Sequence, residues 1–454
     1  MLAVITSGLT TNTMRMERNP AVRRLLVITY HFPPDGSIGG QRWAGLSKYL
    51  VRLGWEVHVI TSCAGSQGEV ESGIHRHVRL RRRTLNDVYK NAVGRFRPPP
   101  GKDAQSTSQD AGHARSSSRL GILAGARRII GDAMYLPDHA RGWVGRAGSA
   151  AHDLLKQRKF DVVITSGPPH SVYFAGLLAT RGSDIPFWID MRDPWSMTHE
   201  MHLPADWVIR AERGFLRQLE GLVLPRAAKV LVNTREFASA LRDQDPELDV
   251  VHFPNGIDLE ALPSRDTRDV APGSIAYVGT LYANRNLSSV FAAMGAVVRD
   301  RPAAAASLKL NVAGPLESPH QERMHDDIAA AGLASVVKIH GVLPRARALE
   351  LLSRSHLALV LAQDQPMCVP AKLYESVGLG VPTLVIAEEA SAAAREARRI
   401  GAMTLEGGDV EGMRAIIEDL LAGRIPIQIE PKVPISYEEL AVQMDRLLRG
   451  AAPG

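Results

Sequence analysis

The densest group of chemistry-bearing residues in this chain is Val369-Pro370-Ala371-Lys372-Leu373-Tyr374-Glu375-Ser376-Val377-Gly378. Proline before and glycine after mark a short helix, and a spacing of three puts Lys372 and Glu375 on one face of its first turn. A carboxylate placed there can accept both vicinal hydroxyls of a ribose, while the ammonium and the free N–H groups of the turn meet phosphate. The plainer alternative is an ordinary i,i+3 surface ion pair. Two further loops follow apolar runs in the same half of the chain. Gly279-Thr280-Leu281 leads to Arg285 just before a helix, a pairing of guanidinium and helix N-terminus suited to a diphosphate. Ala313-Gly314-Pro315 offers bare backbone.

The first half carries three more such loops. Gly39-Gly40 opens a helix after the first apolar run, so main-chain N–H groups can approach a ligand there, or the pair simply makes a turn. Ser166-Gly167-Pro168-Pro169-His170 sets a histidine at the mouth of a strand-to-helix loop. It could bond substrate hydroxyls or share in proton transfer, or it could cap local backbone. In Asp190-Met191-Arg192-Asp193-Pro194-Trp195 two carboxylates flank an arginine at a strand end, which points to an internal ion-pair network or to ligand binding. GxGxxG, GxxxxGK[ST], HExxH and GxSxG are all missing from the sequence, and Asp243-Gln244-Asp245 reads as a solvated turn rather than a metal motif. No metal ligands are assigned.

The elements that must position these loops alternate regularly. Apolar runs at 25–30, 55–61, 160–166, 187–191, 229–233 and 250–253 read as buried strands with helices between them. A second series follows at 274–278, 308–312, 336–339, 357–361 and 383–386. This alternation predicts an α/β chain of two doubly wound parallel sheets, whose ligands bind beyond the strand carboxyl ends. The expected division is a flexible tail over 1–22, a first domain over 23–255, a second over 256–435 and a terminal helix over 436–454. A basic, disordered insertion is expected at about 76–118.

Composition excludes several classes. At 454 residues, 45% apolar and 22% charged, the chain is long enough for two or three packed domains and too apolar for wholesale disorder. Cys63 and Cys368 are the only cysteines, which rules out a disulfide scaffold or a cysteine-rich metal site and fits a reducing compartment. No apolar run approaches the length of a membrane span, so the cytoplasm is expected, with peripheral association at the inner membrane face. Charge is uneven: residues 1–250 hold 34 Lys and Arg against 24 Asp and Glu, and the remainder holds 20 against 24. Much of the excess lies between Arg76 and Lys102. Such a block suits anionic headgroups, an anionic substrate or a solvated loop, and nucleic acid is not expected because stacking aromatics are few.

In order and spacing these pieces resemble the GT-B glycosyltransferases of glycosyltransferase family 4. The resemblance rests on the Gly39-Gly40 loop, the Gly167-Pro168-Pro169-His170 segment, Asp190-x-Arg192-Asp193-Pro194-Trp195 and Asn255-Gly256-Ile257-Asp258. It rests equally on Gly279-Thr280-Leu281, Ala313-Gly314-Pro315 and Pro370-x-Lys372-x-x-Glu375. It spans about residues 23–450 and is nearest to the subgroup that builds surface polysaccharides. It implies a retaining, metal-independent hexosyl- or N-acetylhexosaminyl-transferase with a nucleotide-sugar co-substrate, UDP-sugar favoured over GDP-sugar, no cofactor, and a lipid-linked or oligosaccharide acceptor.

The resemblance also assigns roles. Glu375 would hold the ribose hydroxyls, Arg285 with Lys372 would neutralise the diphosphate, and Gly39 and Gly40 would lie under the donor phosphates. His170, with Asp190, Arg192 and Asp193, would form the catalytic side, and Gly279, Thr280, Gly314, Cys368, Val369 and Pro370 would complete the donor side. Two positions depart from the family pattern: Met367 stands where a paired glutamate is usual, and Thr280 where a basic residue is usual. Sugar-ring contacts are therefore expected from backbone at Cys368 and Val369. A nucleotide-sugar 2-epimerase and a non-catalytic binding subunit are the competing readings.

Overall fold

A computed structural model of the chain describes residues 22–34, 38–63, 68–72, 75–81, 136–197, 206–282 and 284–451. The expected tail, most of the basic block and insertion and part of the loop before Gly39-Gly40 lie outside these residues. Two sheets carry the fold. The first has eight strands: β1 (Arg23–Thr29), β2 (Trp55–Cys63), β3 (Gly68–Ser72), β4 (His75–Arg81), β5 (Val162–Gly167), β6 (Phe187–Met191), β7 (Lys229–Val232) and β8 (Val250–His252). Their order is β3-β4-β2-β1-β5-β6-β7-β8. The second has six: β9 (Ala271–Val278), β10 (Lys309–Ala313), β11 (Val337–Gly341), β12 (Ser355–Leu361), β13 (Thr383–Ile386) and β14 (Met403–Leu405), in the order β11-β10-β9-β12-β13-β14. Every pairing is parallel except β3 with β4.

The apolar runs become strands because helices cover both faces. In β1, Leu26 and Ile28 face one core with Trp143, Tyr173 and Phe237, while Leu25 and Val27 face another with Trp43, Leu46 and Leu50. In β9, Ile275 and Tyr277 pack with Val290 and Met294, and Ala276 and Val278 pack with Leu349 and Leu352. Two doubly wound domains result, as the sequence predicts.

One expectation needs correction. Arg76–Arg81, assigned to a disordered insertion, form strand β4, paired from His58↔Arg76 to Cys63↔Arg81 on one side and with β3 on the other. Backbone hydrogen bonding on both edges holds this run, and Val78 and Leu80 pack against the first-domain core between its basic residues. The final helix, Tyr437–Ala451, returns to the first domain, where Tyr437, Leu440, Met444 and Leu448 complete the core around Trp43 and Tyr49. At about 1.5–3 kcal/mol per buried large apolar side chain, this helix is a substantial tie between the two halves.

Among the parallel strands the order switches direction between β1 and β5 in the first sheet and between β9 and β12 in the second. Open α/β sheets bind ligands at such switch points. The loops leaving these four strands carry most of the residues singled out above.

Candidate functional site

A cleft of about 950 Å³ lies between the two sheets. Gly39, Arg192, Asp193, Gly279, Thr280, Arg285, Gly314, Cys368, Val369, Pro370, Lys372 and Glu375 all line it. Three predicted residues, Gly40, His170 and Asp190, do not.

The second-domain side is built from three loops and the start of helix Ala371–Gly378. Gly314 has φ of 135°, and a Cβ there would lie 2.1 Å from the Gly279 carbonyl oxygen, so only glycine lets these two loops meet. Arg285 lies over the Tyr282 ring at 4.9 Å and donates to Gln365 Oε1, while its Nε has no partner among the described residues. Glu375 is buried, and Lys372 Nζ donates to its Oε2 at 2.7 Å. Its Oε1 accepts from Arg345 Nη1. Burial alone would raise the Glu375 carboxyl, but the charges of Lys372 and Arg345 more than offset it and hold the group below its ordinary value. The Lys372 side chain is 22% exposed, that of Arg345 30%, and that of Glu375 only 4%. The surface-pair alternative therefore fails: this is a buried carboxylate between two cations that line the cleft.

Arg345 escaped the sequence reading because it begins a different helix, Arg345–Ser353, thirty residues upstream. Burial pushes the Cys368 thiol up to about 12, against thiolate formation. Met367 packs against the first-domain core and its carbonyl accepts from Thr234 Oγ1 at 2.8 Å. That residue now joins the domains.

The first-domain side uses its charges differently. Asp190 is fully buried beneath the cleft floor and accepts from Trp43 Nε1 and Ser166 Oγ, each at 2.8 Å. Arg42, also buried and a second residue the sequence reading missed, pairs with Asp190 at 3.2 Å. It donates as well to the carbonyls of Phe253 and Pro254 and to Asn255 Oδ1. Asp190 thus does not reach the cleft and serves as an internal anchor that pins the crossover between domains. Arg192 ties loops together, donating from Nε to the Gly167 carbonyl at 2.8 Å and from Nη1 to the Gly39 carbonyl at 2.9 Å.

Gly40 also answers to packing rather than to ligand access, for a Cβ there would sit 2.9 Å from Phe32 Cα. His170 is buried, stacked on Trp195 with ring centroids 5.3 Å apart, and its Nδ1 lies 3.1 Å from the Tyr173 hydroxyl. Burial, aided by the Arg192 charge, drives the His170 imidazole down to about 3. It is neutral near pH 7 and backs the cleft floor rather than facing the cleft. Asp193 does line the cleft, and burial raises its carboxyl above the usual value against the pull of Arg192. Among the described residues, no group of three or more His, Cys, Asp or Glu is placed to hold a metal ion, and no helix is long and apolar enough to cross a membrane.

Comparison with known proteins agrees with this architecture. Residues 39–256 match a family described as a glycosyl transferase 4-like domain. No curated protein sequence matches the chain significantly. Among solved structures, the chain resembles the sucrose-phosphate synthase of Thermosynechococcus elongatus (TM-score 0.59, 14% identity, 94% of this chain and 98% of that one). It also resembles the trehalose-6-phosphate synthase OtsA (TM-score 0.60, 14% identity, 94% and 99%). A third likeness is to HepE of Anabaena, solved in complex with UDP and glucose (TM-score 0.56, 13% identity, 94% and 100%). The fold is that of the GT-B glycosyltransferases: two Rossmann-like domains facing across a cleft.

Proposed function

We propose that the protein is a retaining glycosyltransferase that moves a hexosyl or N-acetylhexosaminyl group from a nucleoside-diphosphate donor, UDP-linked in preference to GDP-linked, to a saccharide acceptor. The observation that carries this reading is the buried Glu375 carboxylate, held between Lys372 and Arg345 at the edge of a cleft that Arg285 also enters. Glu375 keeps lone pairs free to accept the ribose hydroxyls. Arg285, Lys372 and Arg345 supply positive charge where the diphosphate departs, and the backbone at Gly279, Thr280 and Gly314 lets it approach closely. The glycosyl C1–O bond to the β-phosphate breaks, and a C1–O bond to the acceptor hydroxyl forms on the same face. The acceptor proton goes to the departing phosphate oxygen, giving nucleoside diphosphate and the extended acceptor. The buried, neutral His170 takes no proton in this scheme and backs the floor of the cleft. Domain closure, with the Thr234–Met367 contact as one bridge, would keep water from the reactive C1.

A lipid-linked acceptor in surface-polysaccharide assembly, reached by peripheral attachment to the cytoplasmic membrane face, completes the proposal. It accords with the basic first half of the chain. The role of Met367 at the domain seam favours one second reading, a non-catalytic GT-B subunit, because the usual second carboxylate is gone. Calorimetric titration with UDP, GDP, ADP and dTDP, with and without EDTA, followed by a search for enzyme-dependent release of nucleoside diphosphate from the matching sugar donors, separates the two. Selective binding with release supports the transferase. Binding without release under any acceptor supports the subunit, and no binding at all overturns the transferase and leaves the subunit reading first.

A further inference from the structure

Helix Asp206–Val223 presents an outer face that the cleft does not use. Trp207 is 60% exposed, Phe215 40% and Leu222 51%. With Ala211 between the first two, these residues recur at intervals of four, four and seven, one stripe along the helix. Arg210, Arg213 and Arg217, spaced three and four apart, form an exposed row on the other flank of the same outer face, across Gly214, Gln218 and Gly221, and Arg226 lies exposed just beyond the helix end. Among the described residues, no ion pair occupies Arg210, Arg213 or Arg217.

The helix's two interior acids are both turned inward. Glu212 and Glu220 are buried, and Glu220 accepts from the backbone N–H and the hydroxyl of Ser196. The outer face is therefore aromatic, aliphatic and cationic, and of the two interior carboxylates the buried Glu220 feels the charge of Arg217.

We infer that this face docks on an anionic phospholipid bilayer. An apolar stripe with tryptophan at one end and an arginine row at its flank fits the headgroup boundary, where rings insert and guanidinium groups meet phosphate. The helix follows β6 in a parallel crossover, so its amino end, with Trp207, lies at the carboxyl edge of the first sheet, the edge on which the cleft opens. Docking there brings the acceptor side of the cleft to the bilayer. The inference deepens the membrane part of the proposed function and replaces a diffuse basic domain with a specific surface. It does not depend on the glycosyl-transfer chemistry.

The chain reports on this contact itself. Of its six tryptophans, Trp43, Trp55, Trp143, Trp188 and Trp195 are buried, so a change in emission on adding lipid reads Trp207. With full-length protein and phosphatidylcholine vesicles containing phosphatidylglycerol, the emission shifts to the blue and the protein co-sediments. Pure phosphatidylcholine vesicles do neither. Arg210→Gln, Arg213→Gln and Arg217→Gln each weaken partitioning by about fivefold. Phe215→Ser with Leu222→Ser weakens it at least tenfold, by about the loss of one large buried apolar side chain. Trp207→Phe abolishes the blue shift while co-sedimentation persists.

Undiminished binding by the arginine and apolar variants, with loss instead on neutralising Arg81, Arg82 and Arg83, overturns the assignment. So does a blue shift that follows protein concentration without vesicles, which marks a second copy of the chain as the occupant. Wild-type indifference to anionic vesicles overturns it too. In that case nucleotide binding by the same preparation still decides the transferase reading separately.

Discussion

The two sides of the cleft carry similar charged motifs and spend them in opposite ways. On the first-domain side, Asp190 and Arg42 are both buried and satisfy each other, two neighbouring side chains and the domain crossover. On the second-domain side only the carboxylate is buried. Lys372 and Arg345 keep about a quarter of their surface open on the cleft. A motif of acid and base at a strand end can therefore be a fastening or a binding site. What separates the two is whether the cations retain access to solvent, a property that residue types alone do not specify.

The contrast can be broken first at its most buried point. Arg42→Ala strands Asp190 without its counter-charge, and removing one partner of a buried pair costs about 3–5 kcal/mol. Chemical denaturation should show that loss, with nucleotide affinity falling only as far as unfolding accounts for it. Glu375→Ala should behave in the reverse manner. Its cations rehydrate, so stability falls by about 2 kcal/mol or less, while nucleotide affinity drops at least about tenfold through loss of a charged acceptor. Equal stability losses in the two variants would erase the distinction between fastening and site.

Acid titration sharpens the comparison. The Glu375 carboxyl lies below its ordinary 4.5, so it contributes stability above that pH and loses it as pH falls through the depressed folded value. The Asp193 carboxyl is raised above 3.8, so its contribution is fullest below that pH and is lost as pH rises through the folded value. Hence Asp193→Asn should leave the protein as stable or more stable near neutrality, and Glu375→Gln should flatten the acid limb of the stability curve. Carboxyl and imidazole NMR titrations check both, and His170 should titrate near 3, not between 6 and 7. The smallest expected effect belongs to the seam. Thr234→Val removes one hydrogen bond to the Met367 carbonyl and should cost about 1 kcal/mol, with a larger relative change in apparent donor affinity if closure depends on it.

The fold was legible because parallel strands buried on both faces must be apolar runs, and β6 and β13 match their predicted limits residue for residue. The hairpin β3–β4 was not, because in His75–Arg81 only Val78 and Leu80 face the core between basic residues, which leaves little apolar signature. At the site, Glu375 and Lys372 were legible from local spacing. Arg345 and Arg42 were not, since each meets its carboxylate across a long stretch of chain. His170 and Asp190 illustrate the remaining gap. His170 lies in the loop after β5 and Asp190 near the end of β6, but side-chain direction at both is set by packing against Trp195 and by the reach of Arg42, neither of which spacing encodes.

The most direct test of the central claim is a calorimetric titration of UDP into wild-type protein, Glu375→Ala and Asp193→Asn, with folding of each variant confirmed by denaturation. Glu375→Ala should lose binding at least about tenfold while Asp193→Asn binds as the wild type does. Undiminished binding by Glu375→Ala, or loss confined to Asp193→Asn, would contradict the assignment of the nucleotide to the second-domain side.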